Sequence, residues 1–174
     1  VFKHLANRLI AKSERRSPDF IVGGADNPYL RRWWLIPRNR FFNVYLHQFL
    51  RSDDDRALHD HPWVNASILL RGSYLECLPN GRTELRKTGS IIIRRATARH
   101  RIELIEIIDW DEEWIDGEWK WRPHMSGQVY PVWTLFITGP KLRDWGFHCP
   151  QGFVPWQDFT APGAPGEVGK GCEQ

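Results

Sequence analysis

Residues 59–63 read HDHPW. Two histidines separated by one residue point to the same face of a strand, because successive side chains alternate. Both rings can then reach one point, and neutral imidazole nitrogen is a ligand for Fe, Mn, Ni, Cu and Zn. By itself such a pair reads more readily as two polar residues on a strand face. The spacing of the residues around it is what strengthens the metal reading.

Other residues carry chemistry of their own. His47 stands in NVYLHQF and shares parity with Asn43 and Tyr45. Facing inward, His47 or Tyr45 could move a proton; facing outward, His47 is a surface residue. Asp60 points away from the histidine pair and is expected to meet a neighbouring base. Asp53–Asp55 are hard-cation ligand types, but no matching acids follow at useful spacing, so they read as a solvated loop. His124 lies in an acid-rich stretch and is expected in solvent. The segment GPKLRDWGFHCPQGFVPW (139–156) offers Trp145, Phe147 and Trp156 as a cover for one end of a barrel. Lys141, Arg143 and His148 could meet an anion there; equally, the whole stretch could be structural.

Short strands must position these groups. From residue 30 onward, LRRWWLIP, FFNVYLHQFL, WVNASILLRG, SYLECL, RTELRK, SIIIRR, HRIELIEII and VWTLFITG are rich in β-branched and aromatic residues and are separated by polar turns. LPNGR (78–82) reads as a hairpin turn, with Asn80 and Gly81 able to take positive φ. Ahead of the strands, Phe2, Leu5, Ala6, Leu9 and Ile10 recur at helical spacing and predict an amphipathic helix. Pro18 and Gly23–Gly24 end it. Residues 109–131 mix acids with tryptophans around Gly117 and read as an inserted hairpin or lid.

Composition sets limits. The chain has 174 residues, a formal net charge of +3 and ten tryptophans. So small a charge does not argue for nucleic acid. Nine Lys/Arg crowd residues 1–40, and seven acids without a base occupy 106–118. The three cysteines, Cys77, Cys149 and Cys172, form no CxxC and read as reduced thiols of a cytoplasmic protein. No apolar run is long enough to span a membrane.

Four residues after His61 comes Asn65, and seven further Gly72; Gly89 is followed six residues on by Arg95 and eleven on by His100. This resembles the two motifs of the cupin superfamily. The first reads HxH, three or four residues, Glu, six residues, Gly. The second reads Gly, five residues, PxG, two residues, His, three residues, Asn. Asn65 stands at the Glu position, and Arg95, Thr97 and Leu104 stand where Pro, Gly and Asn are usual. The resemblance spans residues 59–104 by motif and about 40–139 by strand count. It implies an all-β fold, a cupin-type antiparallel barrel (double-stranded β-helix or jelly roll) with a short N-terminal helix. The organisation expected is a helix and arm over 1–29, a barrel over 30–159 with the hairpin 109–131 inserted, and a flexible tail over 160–174.

The resemblance also implies one divalent transition metal held by His59, His61 and His100: Fe(II) first, with Zn, Mn or Ni as alternatives. Asn65 would hold a water or shape an open position. Three neutral ligands leave the metal's charge uncompensated, which favours an anionic substrate. Three-histidine sites among cupins look like those of thiol and diketone dioxygenases, so the implied activity is that of a non-haem Fe(II) dioxygenase acting on a small anionic molecule. A metal-dependent isomerase, epimerase or lyase using His47 or Tyr45 is a second reading, and a non-catalytic ligand-binding or assembly module a third. Trp63, Lys141, Arg143 and His148 are the candidate substrate contacts. Cupin barrels commonly pair, and Trp33 and Trp34 cannot both face one core; the outward one predicts a homodimer contact, unless the chain's own N-terminal helix covers it.

Overall fold

The structure, a computed structural model, describes residues 1–53, 57–160 and 169–172, with Trp114 described by its backbone alone. One helix, α1 (Phe2–Glu14), precedes the strands β1 (Phe20–Val22), β2 (Leu30–Trp34), β3 (Asn43–Phe49), β4 (Leu58–His59), β5 (Asn65–Arg71), β6 (Ser73–Cys77), β7 (Thr83–Lys87), β8 (Ile91–Arg94), β9 (Arg101–Leu104), β10 (Glu106–Ile115), β11 (Glu118–Val129), β12 (Val132–Thr138), β13 (Gly146–Cys149) and β14 (Gly152–Pro155); a last turn, α2 (Trp156–Phe159), follows. All the strand pairings are antiparallel. The large sheet runs β1-β2-β3-β12-β5-β8, and two three-stranded sheets, β7-β6-β9 and β14-β13-β4, complete the walls. This is the jelly-roll barrel expected from the strand pattern.

Alternation decides what faces inward. On β2, Leu30 and Arg32 turn toward the interior, and Trp33 turns out. On β5, Asn65, Ser67 and Leu69 are buried while Ala66 and Ile68 are half-buried. On β6, Tyr74 and Glu76 are buried between half-buried neighbours. One interior cluster joins Leu30, Phe49, Leu69, Tyr74, Ile102, Leu104 and Val132. The turn between β5 and β6 is made by Gly72, whose φ is +92°; a side chain there would also press on Val132. Asn80 and Gly81 take positive φ in the β6–β7 turn, as LPNGR suggested.

The outer face of the large sheet is covered by α1. Ala6 and Ile10 pack with Trp33, Leu46, Leu70 and Trp133, and the Trp33 and Trp133 rings stack at 5.4 Å. Trp33 is only 3% exposed, and its indole donates to the Arg16 carbonyl. The expectation of an outward tryptophan at a dimer contact is therefore corrected: the chain's own helix occupies that face. Trp34 lies under the Arg38 guanidinium at the sheet's end. The apolar stripe of α1 is narrower than its sequence suggested, since Phe2 and Leu5 stay exposed.

The hairpin expected over 109–131 is the long hairpin β10–β11, which runs from Glu106 to Val129; its Trp110, Trp119, Trp121 and Met125 are exposed. Residues 139–156 are not plain barrel wall. They form the hairpin β13–β14, which pairs with β4 and packs Cys149 and Val154 against Ala57 and Phe159. The tail expected over 160–174 lies largely outside the described residues. Its described part turns back: Gly169 and Gly171 both donate main-chain hydrogen bonds to the Phe159 carbonyl.

That return overturns the reading of three reduced thiols. Cys149 and Cys172 form a disulfide, their Cα atoms 5.4 Å apart across a separation of 23 residues. Sequence spacing could not show this, because the fold-back of the tail alone creates the proximity. Cys77 is the free cysteine. No helix among the described residues is long and apolar enough to cross a membrane. Thiol titration in denaturant should therefore find one reactive cysteine without reductant and three after reduction. Cys172→Ser should lower stability by roughly 2–4 kcal/mol. Three thiols in unreduced protein would disprove the bond.

Candidate metal centre and cavity

His59 ends β4, His61 follows two residues later, and His100 stands just before β9. A two-bond main-chain bridge holds the two segments together: His59 N donates to His100 O at 2.9 Å and His100 N to His59 O at 3.0 Å. His61 N donates to Ala96 O at 3.2 Å, which ties the second histidine to the turn that carries the third. The three side chains converge, their candidate ligand atoms all within 4.8 Å of one another. His61 Nε2 and His100 Nε2 are 2.9 Å apart, so one of them carries a proton that the other accepts.

All three rings are held neutral. Burial pushes His100 down to about 4, against the upward pull of Glu76. Burial, reinforced by His100 and His59, holds His61 well below the usual histidine range. Burial also lowers His59, with Asp53 opposing. Deprotonated imidazoles are what a metal requires.

Two carboxylates stand behind the cluster. Glu76 is fully buried, and its Oε1 lies 3.2 Å from His100 Nδ1. That oxygen also accepts from Arg94 Nε at 2.8 Å, while Oε2 accepts from Arg86 Nε at 2.7 Å. Burial alone would raise the Glu76 pKa; His100 and Arg94 outweigh it and hold the carboxyl far below its ordinary value. An ionised carboxylate beside Nδ1 favours the tautomer with its proton there, which leaves the Nε2 lone pair toward the cluster. Asp53 accepts from Ile102 N at 2.7 Å and lies 3.8 Å from His59 Nδ1. Asp53 is thus anchored rather than solvated; Asp54 and Asp55 lie outside the described residues.

The cluster lines a cavity of about 450 Å³. Trp145 stacks between His61 and Trp156 and, with Phe147, forms part of the aromatic roof. Trp63 also lines the cavity, and its buried indole N–H has no hydrogen-bond partner among the described residues. His47 faces the cavity from β3, with Phe136 between it and His61: the His47–Phe136 ring centroids are 5.0 Å apart and those of Phe136–His61 5.8 Å. Arg32 Nε donates to His47 Nε2 at 2.9 Å, which puts the His47 proton on Nδ1. Burial, then Arg32, holds His47 well below the usual histidine range.

Several expected site residues stand elsewhere. Tyr45 is buried beneath the Arg32 guanidinium, 4.9 Å from its ring, and does not line the cavity. Asn65 is 2% exposed, does not line the cavity, and finds no hydrogen-bond partner among the described residues for either side-chain polar atom. Lys141 pairs with Asp144 on the surface. Arg143 and His148 both bind the buried Asp60, at 2.5 and 3.1 Å, while Gly146 N donates to its other oxygen. These two bases fasten the cover to the histidine loop instead of facing a ligand. His124 lies near Asp111 on the exposed hairpin.

Arg32, Asp53 and Glu76 are the residues that motif spacing missed. Parity carried a signal for two of them. Glu76 shares its face with Tyr74 in SYLEC, and Arg32 shares its face with Leu30. A charged residue at an apolar-parity position marks a buried partner or a cavity.

No family model and no curated protein matches the sequence. Solved structures resemble it in outline. A DMSP lyase from Ruegeria pomeroyi is similar at 12% identity, over 84% of this chain and 62% of that one, with a TM-score of 0.48. A putative mannose-6-phosphate isomerase from Ralstonia eutropha is similar at 15% identity, over 70% and 92%, with a TM-score of 0.45. A cupin superfamily protein from Desulfitobacterium hafniense is similar at 10% identity, over 64% and 78%, with a TM-score of 0.43. The assignment stands on the strand order, the register and the converging histidines: the chain has the cupin fold, a double-stranded β-helix with three histidines gathered at one cavity.

Proposed function

We propose that this protein is a mononuclear metal-dependent enzyme, with His59, His61 and His100 as ligands and a small anionic substrate in the adjoining cavity. The observation that carries the proposal is the convergence of three neutral imidazoles within 4.8 Å, one of them backed by a buried carboxylate. Metal–imidazole bonds of about 2.0–2.1 Å bring ligand nitrogens to within roughly 4 Å of one another, a small adjustment from the spacing seen. Three neutral ligands leave the charge of a divalent ion uncompensated and coordination positions open. Fe(II) would supply dioxygen activation there; Zn, Mn or Ni would supply Lewis acidity. The leading activity is a non-haem Fe(II) dioxygenase.

The chain's own groups do the rest. Glu76 fixes the His100 ring and tautomer. The roof of Trp145 and Trp156 limits water at the cluster. His47, neutral and facing the same cavity, favours a second reading, a metal-dependent isomerase or lyase in which it exchanges a proton with the substrate once its Nε2 is released from the Arg32 Nε–H. Dioxygen uptake with turnover supports the first reading, and product formation without uptake the second.

Elemental analysis of freshly purified protein should find one first-row transition metal per chain. Alanine at His59, His61 or His100 should abolish its retention, whereas Asn65→Ala should weaken it less. Equal retention in all four variants would remove the site. Glu76→Gln should weaken metal affinity by about 10–100-fold in a chelator competition; unchanged affinity in the folded variant would refute the orienting role.

The lowered histidines make the metal-free protein acid-sensitive. Above about pH 6.5 they are neutral in both folded and unfolded states, and their neutrality carries no penalty. Below it the unfolded chain takes up protons that the folded chain refuses, so stability should fall from about 6.5 toward the His100 value of about 4. Thermal unfolding of chelator-treated protein across that window measures the slope. A flat profile would mean that the rings are not buried neutral.

A further inference from the structure

We infer that Arg32 is the carboxylate-binding pole of the cavity, and that the ligand is a compact monocarboxylate with an apolar body. The inference deepens the reading of the cavity as a substrate chamber and rests on it, but it does not depend on the metal.

The cavity's charges do not balance. Arg94 is neutralised by the buried Glu76. Asp53 is held by the Ile102 amide and stands near His59. The histidines are neutral. Arg32 lines the same cavity and has no carboxylate within ion-pair distance among the described residues. The only hydrogen bond of its guanidinium to the described residues runs from Nε to His47, a neutral acceptor. The ionisable groups that bear on it are the phenols Tyr45 and Tyr29 and a second cation, Arg38. Its terminal nitrogens have no hydrogen-bond partner among the described residues. Burial lowers it to about 10, so it stays charged at neutral pH.

A half-buried guanidinium kept charged in a chamber lined by Phe20, Phe49, Phe136 and Phe147 has no opposite charge beside it among the described residues. Partial shielding from water strengthens its attraction for an anion. The local build also fixes orientation. Tyr45 packs against the guanidinium at 4.9 Å and Phe20 at 6.0 Å, and the Nε bond to His47 stops the plane from turning. Two parallel N–H groups on a fixed plane match the two oxygens of a carboxylate. One guanidinium without a carboxylate partner, with no lysine among the described lining residues, suits a single negative charge better than a phosphate dianion. Phe136 lies between His47, which Arg32 Nε binds, and His61, so a ligand held at Arg32 extends along that ring toward the three histidines. A volume of about 450 Å³ accommodates an aryl or branched alkyl acid.

Calorimetry on chelator-treated full-length protein tests the assignment, with phenylacetate, 2-phenylethanol and benzylphosphonate as probes. Wild-type protein should bind phenylacetate at least about tenfold more tightly than the neutral alcohol. Arg32→Met should erase that preference and leave alcohol binding unchanged, which also reports that the cavity is intact. Should Arg32→Met lose both ligands, Arg32→Lys decides: a retained preference for the acid supports a charge at this position, and a lost one overturns it. The inference is also overturned if the acid binds no better than the alcohol, if the preference survives Arg32→Met, if it appears only after metal is added, or if the phosphonate binds more tightly than the carboxylate. A failed metal proposal would show instead as absent metal with the acid preference intact.

Discussion

Two main-chain hydrogen bonds between His59 and His100 hold this site together. They join segments some forty residues apart, and they do so at two of the three clustered histidines themselves. Each histidine's backbone is fixed by the other's, so the side chains inherit their spacing from a β-bridge and not from loop packing. A site on paired strands is more precise than one on loops, because the ladder leaves little freedom to the Cα–Cβ vectors. His61 is held less directly, through Ala96 and through the fastening of Asp60 by Arg143, His148 and the Gly146 amide. The cover therefore contributes to the geometry of the histidine cluster without touching the cavity through its basic residues.

Around that bridge the barrel sorts its charges by depth. Glu76 sits between two arginines and a histidine in a place where a lone carboxylate would be untenable. Removing any one partner leaves the others buried without balance. The network thus couples the outer strands β7 and β8 to the orientation of the His100 ring. Arg32 has no such partner among the described residues, and this asymmetry gives the chamber two unlike ends: neutral donors of electron pairs at one, a positive charge at the other.

The sequence made the barrel and the three histidines legible for physical reasons. Strand alternation, the Asn80–Gly81 turn and the HxH pair are local features, and local features survive reading in one dimension. The Glu76 and Arg32 roles were readable only by parity, as charged residues on faces otherwise given to Tyr74 and Leu30. What could not be read was who meets whom. Arg143 and His148 have the right chemistry for an anion, yet Asp60, more than eighty residues away, takes both. Trp33 has the right chemistry for a partner surface, yet α1 covers it. The disulfide depends on a chain reversal after Phe159 for which no residue type gives notice.

That reversal changes how the mouth of the barrel can breathe. Phe159 stacks on Phe147 at 3.6 Å, and its carbonyl receives the amides of Gly169 and Gly171, while Cys172 is bonded to the strand that carries Phe147. Segments joined by a covalent bond and shared hydrogen bonds open together more readily than one by one. Here Cys172 is bonded to the rim, so the last turn, the rim hairpin and the aromatic roof over the histidines form one cooperative unit. Rim amides should accordingly exchange as a group rather than one by one, and ligand passage becomes an event on the timescale of that unit's opening.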